Sequence, residues 1–139
     1  MQETTKRFLK YLEDHNIRYD SKEREGQSDW VCVRYQGDNA DTISLQFFFS
    51  RDGGDVAVRI FSIARVPKNK TAAVLEVLNA LMIEYRWLRF YLDSDNEVTA
   101  AIDAVITEET AAPVAGELLA RGLNIVDDIY PRIMKVLWA

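Results

Sequence analysis

The chain has 139 residues, 48% hydrophobic and 28% charged, which suits one globular domain with a core of its own rather than a disordered chain. One cysteine excludes an internal disulfide, and one histidine leaves little for a metal site. A net charge of −5 argues against a nucleic-acid footprint. The charge is uneven: residues 1–70 carry 12 basic and 11 acidic side chains, residues 71–139 carry 5 and 11. The acidic half would repel nucleic acid and anionic lipid.

The opening Met-Gln-Glu-Thr-Thr-Lys-Arg lacks the apolar run of a secretory leader. The longest apolar stretch, Ala72 to Ile83, is interrupted by Glu76 and Asn79 and is too short to span a bilayer. With Cys32 unpaired, a reducing cytoplasm is the expected compartment.

Thr4 to Asn16 reads as a first helix, with Thr4 or Thr5 as N-cap and an apolar stripe through Phe8, Leu12 and His15. The polar stretch Asp20 to Asp29 reads as a mobile connector. Three strand-like runs follow: Trp30 to Tyr35, Thr42 to Ser50 and Asp55 to Val66. The turn-forming segments Gln36-Gly37-Asp38-Asn39 and Arg51-Asp52-Gly53-Gly54-Asp55 separate them, giving an antiparallel meander.

Pro67 ends the third run, and Lys68 to Tyr85 reads as the main helix. Val74, Leu75, Val77, Leu78, Leu81, Met82 and Ile83 make it apolar over most of its circumference, so it needs cover on more than one side. The sheet supplies one cover; more helices or a second subunit must supply the other. Trp87 to Leu92 and Glu97 to Ile106 read as two further strands around an Asp93-Ser94-Asp95-Asn96 turn. A helical ending follows, with Thr110 as N-cap and Pro113 in the first turn. Pro131 either opens a last helix over Asp128 to Leu137 or kinks one longer helix. The order α-β-β-β-α-β-β-α(α) predicts a single α+β domain with a five-stranded antiparallel sheet flanked by helices.

Motifs that would name a reaction are missing. Asp93, Asp95 and Glu97 are spaced like the start of a calcium loop, but Val98 and Ala104 stand where such a loop needs Gly and Glu. They read instead as a turn. Cys32, mid-strand between two valines, reads as a small hydrophobe rather than a nucleophile served by His15. Asp127 and Asp128 read as helix-terminal carboxylates. Gly53-Gly54 precedes a strand, so it makes a poor phosphate cradle. The reading is therefore non-enzymatic, without cofactor or metal. The cluster Tyr85-Arg86-Trp87-Leu88-Arg89-Phe90-Tyr91 fits either core packing or a binding surface.

Val66-Pro67, Val74-Leu75-Glu76-Val77-Leu78-Asn79, Tyr85-Arg86-Trp87 and Phe90-Tyr91-Leu92-Asp93 are similar to stretches of the YbjN-like family, as is Asp128-Ile129-Tyr130-Pro131-Arg132-Ile133-Met134-Lys135-Val136-Leu137-Trp138. The resemblance implies a bacterial regulator of sensory transduction with a fold like that of type III secretion chaperones, commonly a homodimer. It brings no catalytic residues. Where the family often has glycine after the fourth strand, this chain has Asn96, which also accepts a left-handed backbone.

The expectation is thus a cytoplasmic homodimer that binds a protein or peptide partner, with neither nucleic acid nor membrane involved. Trp87, Phe90, Tyr91, Tyr130 and Trp138 are the candidate partner contacts, and Met82 and Ile83 the candidate dimer contacts. A second reading is a small ligand-binding domain or enzyme with an acidic pocket between sheet and helix, using Asp93, Asp95, Asp103 or Asp127.

Overall fold

The computed structural model describes residues 1–139. Helix α1 (Glu3–Asp14) leads into strands β1 (Asp20–Lys22), β2 (Asp29–Tyr35), β3 (Ile43–Phe49) and β4 (Asp55–Arg65). A 3-10 turn, Lys68–Lys70, opens helix α2 (Thr71–Glu84). Strands β5 (Arg89–Leu92) and β6 (Glu97–Val105) and helix α3 (Ala111–Leu137) complete the chain. The strands form one antiparallel sheet in the order β1-β2-β3-β4-β6-β5.

This is the predicted α+β architecture with one correction: the sheet has six strands, not five. The stretch read as a mobile connector contains β1, where Asp20, Ser21 and Lys22 pair with Cys32, Val31 and Trp30. All three β1 residues are exposed, so no apolar alternation marks them in the sequence.

Register and alternation divide the sheet into two faces. Val31 and Val33, Leu45, Phe47 and Phe49, Val56, Val58 and Ile60, and Ala100 and Ile102 share the inner face and are buried. The helices lie against it. Phe8 of α1 sits 4.7 Å from the Phe47 ring and 5.6 Å from that of Phe49. A side chain added at Gly122 of α3 would meet Leu45 at 3.0 Å. The other face carries Arg34, Gln46, Arg59, Asp103 and Tyr91 and has no helix over it.

The α1 N-terminus departs from expectation. Gln2 is the N-cap, and Thr4 and Thr5 are buried in the first turn. Asp29 of β2 does the capping from a distance, its Oδ2 accepting the Gln2 N–H (2.9 Å) and the Thr5 hydroxyl (2.7 Å). A carboxylate at this end also meets the positive pole of the helix dipole.

Helix α3 is continuous through Pro131, which resolves the choice between one helix and two. A proline inside a helix removes one donor, here the one owed to the Asp127 carbonyl. Asn39 Nδ2 donates to that carbonyl instead, at 3.0 Å. The Asp127 carboxylate in turn accepts the main-chain N–H groups of Asp38, Asn39 and Ala40 at 2.9–3.0 Å. The β2–β3 loop is thereby clamped to the helix. Gly37 makes the close approach possible, because a Cβ there would lie 2.3 Å from Asp127 Oδ1.

Helix α2 buries Val74, Leu78 and Leu81 and leaves Leu75, Met82 and Ile83 exposed. Both covers its composition demands come from within the chain, β5 of the sheet on one side and α3 on the other, and only an outer stripe is left bare. Its C-terminal end is held to α3 by two polar links: Tyr85 donates to Asp128, and Arg132 pairs with Glu84. The Asp128 bond, with burial behind it, pushes the Tyr85 hydroxyl up to about 12. Several family-like residues of the sequence meet in this clasp.

The Trp87 surface, a candidate partner site

Beyond α2 the backbone extends at Tyr85 and then turns sharply, with Trp87 at φ +84°. A bulky residue rarely adopts this conformation, so the surrounding structure must hold it. The Trp87 indole is 51% exposed. The guanidinium of Arg121, from α3, lies 4.5 Å from the ring centre and that of Arg86 lies 5.4 Å away. Such cation–π contacts fix the ring while leaving its edge open.

Trp87 separates two hollows. One, about 470 Å³, is bounded by Met82, Leu88 and Arg89; the other, about 410 Å³, lies beneath α3 against Pro113, Val114 and Leu118. Both also touch Ile102 and Asp103 of β6. The charges here are paired but not evenly. Asp103 accepts from Arg59 (2.7 Å) and lies 3.4 Å from Arg89, and Glu117 lies 3.2 Å from Arg121. Burial pushes the Asp103 carboxyl upward, but the bond and charge of Arg59, with Arg89, outweigh it and leave the group below its ordinary value.

The sequence-predicted contacts do not all gather here. Trp87, Met82 and Ile83 stand at or beside the surface, Ile83 being 82% exposed. Tyr91 is exposed on the helix-free face of β5. Trp138, 84% exposed, closes the far end of α3. Tyr130 is half-buried against the core, beside a small cleft where the β3–β4 pairing stops.

Phe90 is a correction. It is 2% exposed and belongs to the core, because strand alternation turns Arg89 and Tyr91 outward and Phe90 inward. Leu75 and Val105 are exposed apolar residues outside the predicted set, Val105 at 86%. Its position at the end of an alternating strand was the available signal.

The four carboxylates considered for an acidic pocket do not converge. Asp93 closes its own turn, accepting the Asp95 and Glu97 N–H groups and the Thr99 hydroxyl. The Glu97 N–H leads in holding that carboxyl below its usual range. Asp127 is held low in the same way, by the N–H groups of Ala40, Asn39 and Asp38. Asp103 is engaged by arginines, and Asp95 is exposed on the turn. None of these shifted groups is raised toward neutrality, as a general acid would require. No group of three or more His, Cys, Asp and Glu is placed to hold a metal ion. Cys32 and His15 are on opposite sides of the sheet, since Cys32 alternates with the inward Val31 and Val33 and α1 packs on the inner face. Burial pushes the Cys32 thiol up, away from reactivity. No helix is long and apolar enough to cross a membrane.

Compared with known proteins, the chain matches no curated sequence significantly. Among solved structures it is similar to YbjN, a putative transcription regulator from E. coli, with a TM-score of 0.60 and 11% identity over 92% of both chains. That likeness is one of fold. A chain of the heterodimeric complex ExoU-SpcU, from the type III secretion system of Pseudomonas aeruginosa, scores 0.49 at 11% identity, covering 92% of this chain and 95% of that one. An uncharacterized protein from Methanothermobacter thermautotrophicus also scores 0.49, at 12% identity over 97% and 96%. The model of the YbjN family, "Putative bacterial sensory transduction regulator", matches residues 4–134, and this chain belongs to that family.

Proposed function

We propose that this chain is a non-enzymatic protein-interaction module of the bacterial cytoplasm, of regulator or chaperone type, which binds a protein or peptide partner as a homodimer. The observation that carries the reading is the bare apolar surface running from the outer stripe of α2 to Trp87. Leu75 and Met82 are seven residues apart on one helix face, and Met82 and Trp87 border the same hollow. An exposed apolar patch rimmed by arginines is the usual mark of a protein contact. In this arrangement the α2 stripe, with Met82 and Ile83, faces the second subunit, and Trp87, with Tyr91 nearby, faces the partner.

The test is native mass spectrometry of the protein isolated at natural abundance from its own host, beside a Trp87→Ala variant. The expected species is a dimer carrying a polypeptide, with the polypeptide lost or reduced in the variant. A bare monomer, or a monomer carrying a small molecule, overturns the reading.

A further inference from the structure

Strands β3 and β4 separate before they end. They pair from Phe49↔Val56 to Gln46↔Arg59 and no further, although β3 begins at Ile43 and β4 runs on to Arg65. Strand β3 stays with β2 as far as Tyr35↔Ile43, while β4 follows β6 through a bulge between Ile60 and Ala64. Ser62 sits in that bulge at φ +55°, a backbone that serine seldom adopts. A bulge bends and twists its strand, and here it carries β4 away from β3. The gap is a cleft of about 220 Å³ within the sheet. It reaches from the helix-free face, where Ser44 and the 41% exposed Phe61 stand, down to the buried Ile43, Ile60 and Val126. Tyr130 of α3 lines it as well.

Size, charge and polar groups together limit what the cleft can hold. An apolar cavity of about 150 Å³ suffices for benzene, and drug-sized ligands take about 300 Å³ or more. There is room here for one or two fused rings. No charged side chain lines the cleft, although charged residues make up 28% of the chain. A charged group would lose its water on entry and gain no counter-charge. The polar lining consists of hydroxyls, those of Thr42, Ser44, Ser62 and Tyr130, and none of them bonds to another group of the chain. Each can donate or accept a hydrogen bond. The rings of Phe61 and Tyr130 offer stacking or edge contacts to a third ring.

We propose that the cleft between β3 and β4 binds a small, uncharged aromatic molecule of one or two fused rings that carries a hydroxyl, amide or ring N–H. Its ring lies against Phe61 and Tyr130, and its polar group meets the hydroxyls. The cleft shares no residue with the two hollows beside Trp87, so this site is independent of the interaction reading above.

The test titrates the full chain with tryptophol, a neutral indole alcohol, and follows the amide resonances by NMR. Tryptophol is expected to shift the amides of Ala40, Ser44, Phe61 and Ser62 saturably. Tryptamine and indole-3-acetate carry side arms of similar size with one charge of either sign, and bind at least about tenfold more weakly. Ser44→Leu, which places a larger apolar side chain at the mouth, abolishes the shifts while the melting curve is kept. Tyr130→Phe keeps the shape and removes one hydroxyl, so it weakens binding and serves as the second variant should Ser44→Leu unfold. Four results overturn the proposal: no saturable shift by tryptophol, charged analogues that bind as tightly, shifts centred on Trp87, or N-acetyltryptophanamide binding as tightly as tryptophol. The last would make the cleft a socket for an aromatic side chain of a partner. All four leave the dimer and its polypeptide to be judged by their own test.

Discussion

The Asp127 carboxylate has three main-chain donors and no cation, so its worth lies in being ionised. Its pKa is depressed in the folded chain, which fixes the sign of its pH dependence. The clamp contributes fully above the ordinary carboxylate pKa of about 3.9, and the contribution is lost as pH falls through the lower folded value. Asp127→Asn should therefore lower the melting temperature at neutral pH, and the gap to the unsubstituted chain should close in acid below about pH 4. Thermal melts across pH check this; a gap of constant size would show that shape, not charge, matters. Asn96 allows a second comparison. Its φ is +59°, and its Nδ2 donates to the Val66 carbonyl (2.6 Å) and Thr71 Oγ1 (3.1 Å), tying the β5–β6 turn to the start of α2. Glycine would keep the conformation and lose the bonds; alanine would lose both. Asn96→Gly should cost about 1 kcal/mol and Asn96→Ala about 2–3, read from denaturant melts.

Helices α1 and α3 approach closely where Gly116 faces Tyr11. A Cβ on Gly116 would come within 2.6 Å of the half-buried tyrosine ring, whose outer end would have to shift and give up its present packing. Gly116→Ala should destabilise by about 1–3 kcal/mol despite its better helix propensity. Tyr11→Leu in the same chain should recover part of the loss, so a double-mutant cycle with no coupling would refute the contact. The elements legible in the sequence are those whose signal is local: the meander, α2 as a strongly apolar helix, and the left-handed Asn96. The illegible ones depend on distant partners. Strand β1 exists because β2 offers an edge, and Pro131 sits inside α3 because Asn39, far away in sequence, serves the carbonyl it orphans. Phe90 departs from expectation for another reason: the aromatic cluster, read as a block, hides the alternation Arg89-Phe90-Tyr91, which assigns opposite faces to its members. The Trp87 surface was legible as residue types, but its hollows arise from a mismatch in strand lengths that no periodicity encodes.

At the scale of the molecule, one sheet face is covered by helices and the other is open, and the apolar surface left over is concentrated on α2 and around Trp87. Substituting it should separate assembly from folding. Ile83→Glu, at a position without burial, should leave stability within about 0.5 kcal/mol while weakening self-association by tenfold or more in sedimentation equilibrium. Unchanged association, or no self-association by the unsubstituted chain, would overturn the proposed dimer contact, and loss of the fold would show that Ile83 is structural.

The longest pairing of the sheet joins β4 to β6 across the whole of α2 and β5. On the ribosome, then, the eleven-residue β4 is finished long before its second neighbour has been made. A nascent chain stopped before Glu97 displays the longest strand of the protein as an open edge backed by Val56, Val58 and Ile60. Such an unpaired edge invites pairing with other chains, so the half-made protein is at its most aggregation-prone before β6 has been added.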